Sequence, residues 1–214
     1  MHIQDGILTS STVGTVVLAL GWAGTGVGTT IGLARLDADR VPRAGLLTSL
    51  FFVVSLIQVP AGPTSIHLVL NGLLGLILGW MAFPAVLIAL GLQWLFFGMG
   101  GLTTLGINTL NMSLPAVIGW YIFGPFIRSP RTQLVAGGGF AAGAVAILLA
   151  ATMTALCVAL SGRQFVAVSW IVWISDGVLA LAEGFVTAAA VVFLRRVYPE
   201  VFQAATLEHR THVC

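Results

Sequence analysis

The sequence predicts an all-α, polytopic membrane protein, a bundle of about seven transmembrane helices with its N-terminus outside and its C-terminus in the cytoplasm. Three observations predict it. Charged residues are 7% of the chain and the mean hydropathy is +1.04, where a soluble domain carries about 25% charged residues. Apolar runs near the ~20 residues needed to cross a bilayer recur along the whole length and leave no room for a separate soluble domain. The basic residues, nine Arg and no Lys, fall almost entirely in alternate breaks between those runs.

Taken in order, residues 1–6 form a short arm, 7–194 the bundle and 195–214 a tail, all in one membrane domain. The first span runs from Ile7 to Leu33, and RLDADRVPR follows with Arg35, Arg40 and Arg43. The second runs from Ala44 to Val59 and is stopped by PAGPTS, where Pro60 and Pro63 break the helix and supply turn geometry. His67 comes immediately after. The third span extends from about Ile66 to Phe83 and the fourth from about Pro84 to Gly98, separated by a proline and no charge. A polar, glycine-rich interruption follows, GMGGLTTLGINTLNM, with Thr103, Thr104, Asn108, Thr109 and Asn111. Irregular or polar backbone at membrane depth requires protein or a cavity to satisfy it. The fifth span is Ser113 to Ile127, the sixth Leu134 to Leu160, and the seventh Trp170 to Leu194, closed by Arg195 and Arg196.

Short loops rich in Lys and Arg stay cytoplasmic. Alternation down seven spans collects eight of the nine arginines on one side and leaves Arg163 opposite. That side is the cytoplasm, so the arm and the PAGPTS loop share the outer face. His2 and His67 then lie together, whereas His209 and His212 fall in the cytoplasmic tail.

The arm reads as a metal chelate. The amine of Met1, the backbone amide nitrogen of His2 and His2 Nδ1 can close on one ion as two fused rings, five-membered and then six-membered. Three donors in one plane suit Ni(II) or Cu(II) better than tetrahedral Zn(II). His67 on the same face offers a fourth nitrogen. The blander reading is that a second-position His arises by chance and that a His at a span's end is an interfacial side chain. The arm lacks the basic region and cleavage site of a signal peptide, so Met1 is expected to remain on the mature chain.

Asp176 and Glu183 lie inside the seventh span, seven residues and hence two turns apart on roughly one face. An acid at a helix centre costs about 2.5–3.5 kcal/mol on insertion scales, so each is expected to face the bundle or a cavity. They read either as an ion path or as hydrogen-bonding partners of Asn, Thr or Arg on neighbouring helices; Asp176, nearer the outer end, could lie within reach of the metal pocket. The GTGVGT of the first span lies in an apolar helix with no Lys anywhere in the chain, so a nucleotide-binding Walker motif is excluded. The small residues Ala19, Ala23, Gly24, Gly28 and Gly32 permit close helix approach, within the fold or against a partner. HExxH and GxSxG are absent, no nucleophile can be named, and no enzyme chemistry is expected. Cys157 and Cys214 make neither a disulfide framework nor a metal pair. A net charge of +2, dispersed, excludes a nucleic-acid surface.

At MHIQDG, PAGPTSIHL, LFFGMGGLTTLGINTLNM and AEGFVT, in that order and over essentially the full length, the chain resembles the NikM/CbiM family, the substrate-capture components of nickel and cobalt energy-coupling-factor transporters. The resemblance implies a seven-helix fold in the membrane of a prokaryotic cell, with the arm inserted into an outward-facing pocket. It implies Co(II) or Ni(II) as transported substrate, held by the Met1 amine, the His2 amide and imidazole, and His67. It further implies a transmembrane coupling subunit, ATP-binding-cassette ATPases that hydrolyse the ATP this chain cannot bind, and a small accessory membrane subunit. Two positions depart from the family pattern: Met99 stands where FGHGG is expected, and Asp176 where nickel-type members tend to show His. Both bear on how ligands are oriented and so leave nickel against cobalt open. Two other readings compete: a stand-alone proton-coupled secondary metal transporter using Asp176 and Glu183, and a structural membrane subunit without ligand. No inverted repeat of broken helices supports the first, and the clustering of polar motifs on the outer side speaks against the second.

Overall fold

The structure, a computed structural model, describes residues 2–9, 11–61, 64–162 and 166–203. Met1, Pro63, Arg163 and the tail from 204 to 214, with His209, His212 and Cys214, lie outside the described residues. The side chain of His67 does too.

Among the described residues there are seven α-helices of eight residues or more. They are α1 (Thr12–Ala34), α2 (Val41–Leu56), α3 (Asn71–Leu78), α4 (Ala82–Phe97), α5 (Leu105–Ile127), α6 (Thr132–Ser161) and α7 (Val166–Val197), followed by the four-residue α8 (Glu200–Gln203). Two short antiparallel strands, β1 (Gln58–Ala61) and β2 (Thr64–His67), replace the expected loop between the second and third spans and pair Gln58 with His67. Five helical runs are long and apolar enough to cross a membrane: α1, the run Asn71–Phe97, α5, α6 and α7 from Ser169. The chain is thus a multi-pass membrane protein of helical architecture, and its large exposed hydrophobic side chains, such as Leu20, Leu95 and Phe193, are those a lipid environment accepts.

Three boundaries differ from the sequence expectation for physical reasons. The third and fourth helices part at Gly79, not at Pro84. Gly79 adopts φ +54°, a conformation glycine takes without penalty, and a 3-10 turn over Gly79–Met81 follows. Pro84 sits in the first turn of α4, where the missing N–H has no intrahelical partner to lose. The fifth helix begins eight residues earlier than the apolar run suggests, because Asn108, Thr109 and Asn111 are buried inside the protein and not in contact with lipid. The first helix starts at Thr12, where the Ser11 hydroxyl accepts the Gly14 N–H at 3.0 Å as an N-cap.

Asn71, Gly75 and Gly79 of the third segment meet Met112, Ala116 and Trp120 in turn, so α3 and α5 run parallel. Beyond Met81 the chain doubles back, and the Ala82 carbonyl lies 3.5 Å from the Ser113 hydroxyl. Gly75 permits this approach, since a Cβ there would overlap the Ala116 backbone. The glycines of α1 are likewise spent inside the fold: Gly24 faces Leu110, Gly28 faces Phe83 and Gly32 faces Trp80 and Pro84, whereas Ala19 and Ala23 are exposed. Arginines gather at one end, with Arg195 donating to the Ser129 carbonyl, Arg43 to that of Val201 at 3.3 Å, and Arg35 over the Trp80 ring at 5.6 Å.

Candidate metal centre

The end of the bundle opposite those arginines carries the arm, the hairpin and the Gly98–Thr104 loop. The arm folds inward because two of its side chains are apolar: Ile3 is 2% and Leu8 0% exposed, and they pack with Leu18 and Ile107. Burying such side chains stabilises the docked arm by about 1.5–3 kcal/mol each. Residues 5–9 form a turn, and Gly14 of α1 lies so close to the Leu8 carbonyl that no Cβ fits.

Polar contacts fix the register. Asn108, buried in the first turn of α5, accepts the Ile3 N–H at 3.0 Å and donates its amide to the Ile3 carbonyl at 3.0 Å. One side chain thereby satisfies both main-chain groups of a buried residue, as a neighbouring strand would. The Thr103 hydroxyl donates to the Asp5 carboxylate, and the Thr104 hydroxyl lies 3.5 Å from the same oxygen and 3.3 Å from the Gly101 carbonyl. Trp22 of α1 braces the loop by donating to the Thr103 carbonyl at 3.2 Å.

The glycines of FGMGG have separate tasks. Gly98, at φ +65°, ends α4 and donates to the Trp94 carbonyl at 2.9 Å. Gly100, at φ +75°, is the close neighbour of the arm: a Cβ there would stand 3.9 Å from His2 Nδ1 and 3.3 Å from Asn108 Nδ2. At Gly101 a Cβ would overlap the Asp5 carboxylate. Met99, the departure from FGHGG, is half-buried in this same segment, one residue before the glycine that faces His2.

His2 is therefore held half-buried, with Nδ1 3.9 Å from where a Cβ on Gly100 would stand, and its own amide is the last main-chain nitrogen before the Asn108 clamp. His67 closes β2 opposite Gln58. Among the described residues no group of three or more His, Cys, Asp and Glu is arranged to hold a metal.

Asp176 and Glu183 are both buried, at 4% and 0% exposure, and so face the bundle as expected. Glu183 is a structural acceptor, but its partners are not Asn, Thr or Arg side chains. Its carboxylate accepts the backbone N–H of Val69 and that of Leu70, the latter at 2.8 Å to one oxygen and 3.0 Å to the other. Asp176 Oδ2 has no hydrogen-bond partner among the described residues, nor do the side-chain oxygens of Asn71, Asn111 and Thr187. Sequence reasoning missed the Asn108 clamp and the Glu183 anchor. The first had a signal: Thr104, Asn108 and Asn111 at helical spacing predict one polar face, though not what it would grip.

Comparison with known proteins agrees with this architecture. A family profile described as the cobalt uptake substrate-specific transmembrane region, CbiM, matches residues 2–201. A Haemophilus influenzae protein named for metal transport is 35% identical over 94% of this chain and 96% of its own. The cobalt transport protein CbiM of Sorangium cellulosum is 34% identical over 77% of each chain, and the fused nickel transport protein NikMN of Rhodobacter capsulatus is 35% identical over 71% of this chain and 46% of its own. A crystal structure of a transition metal transporter superposes with a TM-score of 0.74 at 26% identity, covering 92% of this chain and 93% of the other.

Proposed function

Since the chain belongs to the CbiM family of cobalt-uptake substrate-specific transmembrane proteins, we propose that it captures Ni(II) or Co(II) at the outer face through four nitrogens: the Met1 amine, the His2 amide, His2 Nδ1 and His67. The observation that carries this reading is the two-point grip of Asn108 on the Ile3 main chain. It fixes the direction in which the chain leaves His2 and so orients a chelate made largely of backbone. The ion is cargo; the arm and its seat supply a planar set of donors, and the hairpin closes it.

Transport requires partners in this reading, a coupling subunit and ATPases, because the chain has no Lys and no phosphate loop. An accessory membrane subunit is also proposed; the R. capsulatus relative carries more than half of its length beyond the region matched here. The orientation, with the arm outside, rests on the gathering of arginines at the far end. The proton-coupled alternative is weakened by Glu183, whose carboxylate is engaged by backbone N–H groups and is not left facing a path.

The test is the exact start of the chain. One added residue before Met1, or acetylation of Met1, turns the amine into an amide and moves the free amine away. Calorimetry is expected to show high-affinity binding lost in both forms and kept in a form tagged after Cys214. An extended protein that binds as tightly as the parent would refute the chelate.

A further inference from the structure

We propose that Glu183 is a positioning residue for His67, acting through the main chain of the three-residue link between β2 and α3; the claim rests on the reading of His67 as a ligand. Three observations lead to it. The carboxylate reaches from α7 to a stretch 113 and 114 residues earlier in sequence and takes the N–H groups of Val69 and Leu70, two and three residues past His67. Leu70 has φ +57°, the positive φ among described non-glycine residues, and it serves as N-cap of α3 with no side-chain cap bond of its own. A leucine persists in that conformation only where its surroundings over-determine it, and here Glu183 accepts the N-cap N–H of Leu70, as the N3 acid of a capping box does, but from another helix. Third, the anchor is itself closely packed. Glu183 is fully buried, and its carbonyl lies so close to Gly143 of α6 that a Cβ there would overlap it.

The backbone of His67 is thus held from both directions. Its strand pairs with Gln58 on one side, and two residues on the chain is tied to α7. With both ends of so short a segment fixed, the range of directions open to the His67 Cβ is narrow, which is what a fourth donor completing a plane requires. The acid does not touch the ion; it sets where the imidazole starts from.

The experiment is a double-mutant cycle on the full-length protein with its native N-terminus, read as Ni(II) affinity by calorimetry. Glu183→Ala is expected to weaken binding at least tenfold in the parent and less than twofold in a His67→Ala background, because nothing is then left to position. Glu183→Gln keeps one carbonyl oxygen able to accept from both N–H groups and recovers most of the loss. If the alanine variant does not accumulate folded, Glu183→Asp, one methylene short of the link, runs the same cycle. The visible absorption of bound Ni(II) gives an independent reading: Glu183→Ala should move it toward the His67→Ala spectrum. Equal losses in both backgrounds would overturn the positioning role alone. A His67→Ala protein that binds like the parent would remove the fourth ligand, and this inference with it.

Discussion

Replacing Asn108 with alanine tests the seat of the arm most directly. The substitution deletes both partners of the Ile3 main chain, at 3.0 Å each, while Ile3 stays 2% exposed. A buried donor or acceptor left unsatisfied costs about 1–3 kcal/mol, so two cost about 2–6 kcal/mol. Alanine returns about 0.7 kcal/mol of helix propensity at this position in α5, and water entering the vacated space satisfies part of what is orphaned. The net expected loss is about 2–3 kcal/mol of arm docking, which at 1.4 kcal/mol per decade is a roughly 30- to 150-fold weaker apparent metal affinity. Calorimetric titration with Ni(II) and with Co(II) measures it, and thermal unfolding of the metal-free protein serves as control. The reasoning predicts that affinity falls for both ions while the metal-free melting temperature moves little, because the arm is peripheral to the bundle. Unchanged affinity accompanied by a lowered melting temperature would show that Asn108 is a packing residue and not a clamp.

Gly101→Ala places a Cβ inside the Asp5 carboxylate and is expected to displace the arm and lower metal affinity, whereas Gly137→Ala, with nothing near its Cβ, leaves affinity unchanged in the same titration. Gly75→Ala drives a methyl into the Ala116 backbone, which cannot yield as a side chain would; the expected result is loss of the monodisperse species in detergent by size-exclusion chromatography. Metal binding should release protons and weaken as pH falls below neutrality, since the ion competes with protons for an amine whose reference pKa is about 7.7–8.0 and displaces the His2 amide proton. Titration in buffers of different ionisation enthalpy reads that release, and pH-independent affinity would remove both groups from the ligand set.

Composition and spacing were enough to read the helical membrane architecture, because lipid demands long apolar runs and the chain has few ways to provide them. The ends of α2, α6 and α7 fall within four residues of the sequence expectation for that reason. What one-dimensional reading could not supply was partner identity across long separations. Hydropathy treats Asn108 and Thr104 as interruptions of a span, but they are ordinary helix and helix-start residues whose polar groups are met by an arm 105 and 99 positions earlier. Glu183 is expensive in lipid and so announces a partner; that the partner is a backbone turn and not a side chain has no sequence signature. Pro84 misled for the opposite reason. A proline marks a break only where it removes a bond, and at the start of α4 there is none to remove.

The distance in sequence between arm and clamp also sets an order of manufacture. His2 is made before the hairpin, α5 brings Asn108 about a hundred residues after His2, and Glu183 arrives last of these. At ~5–20 residues per second the arm spends roughly 5–20 s with no seat to enter. That interval closes when α5 is in place. Until α7 has been made the link beyond His67 has no Glu183 to tie it.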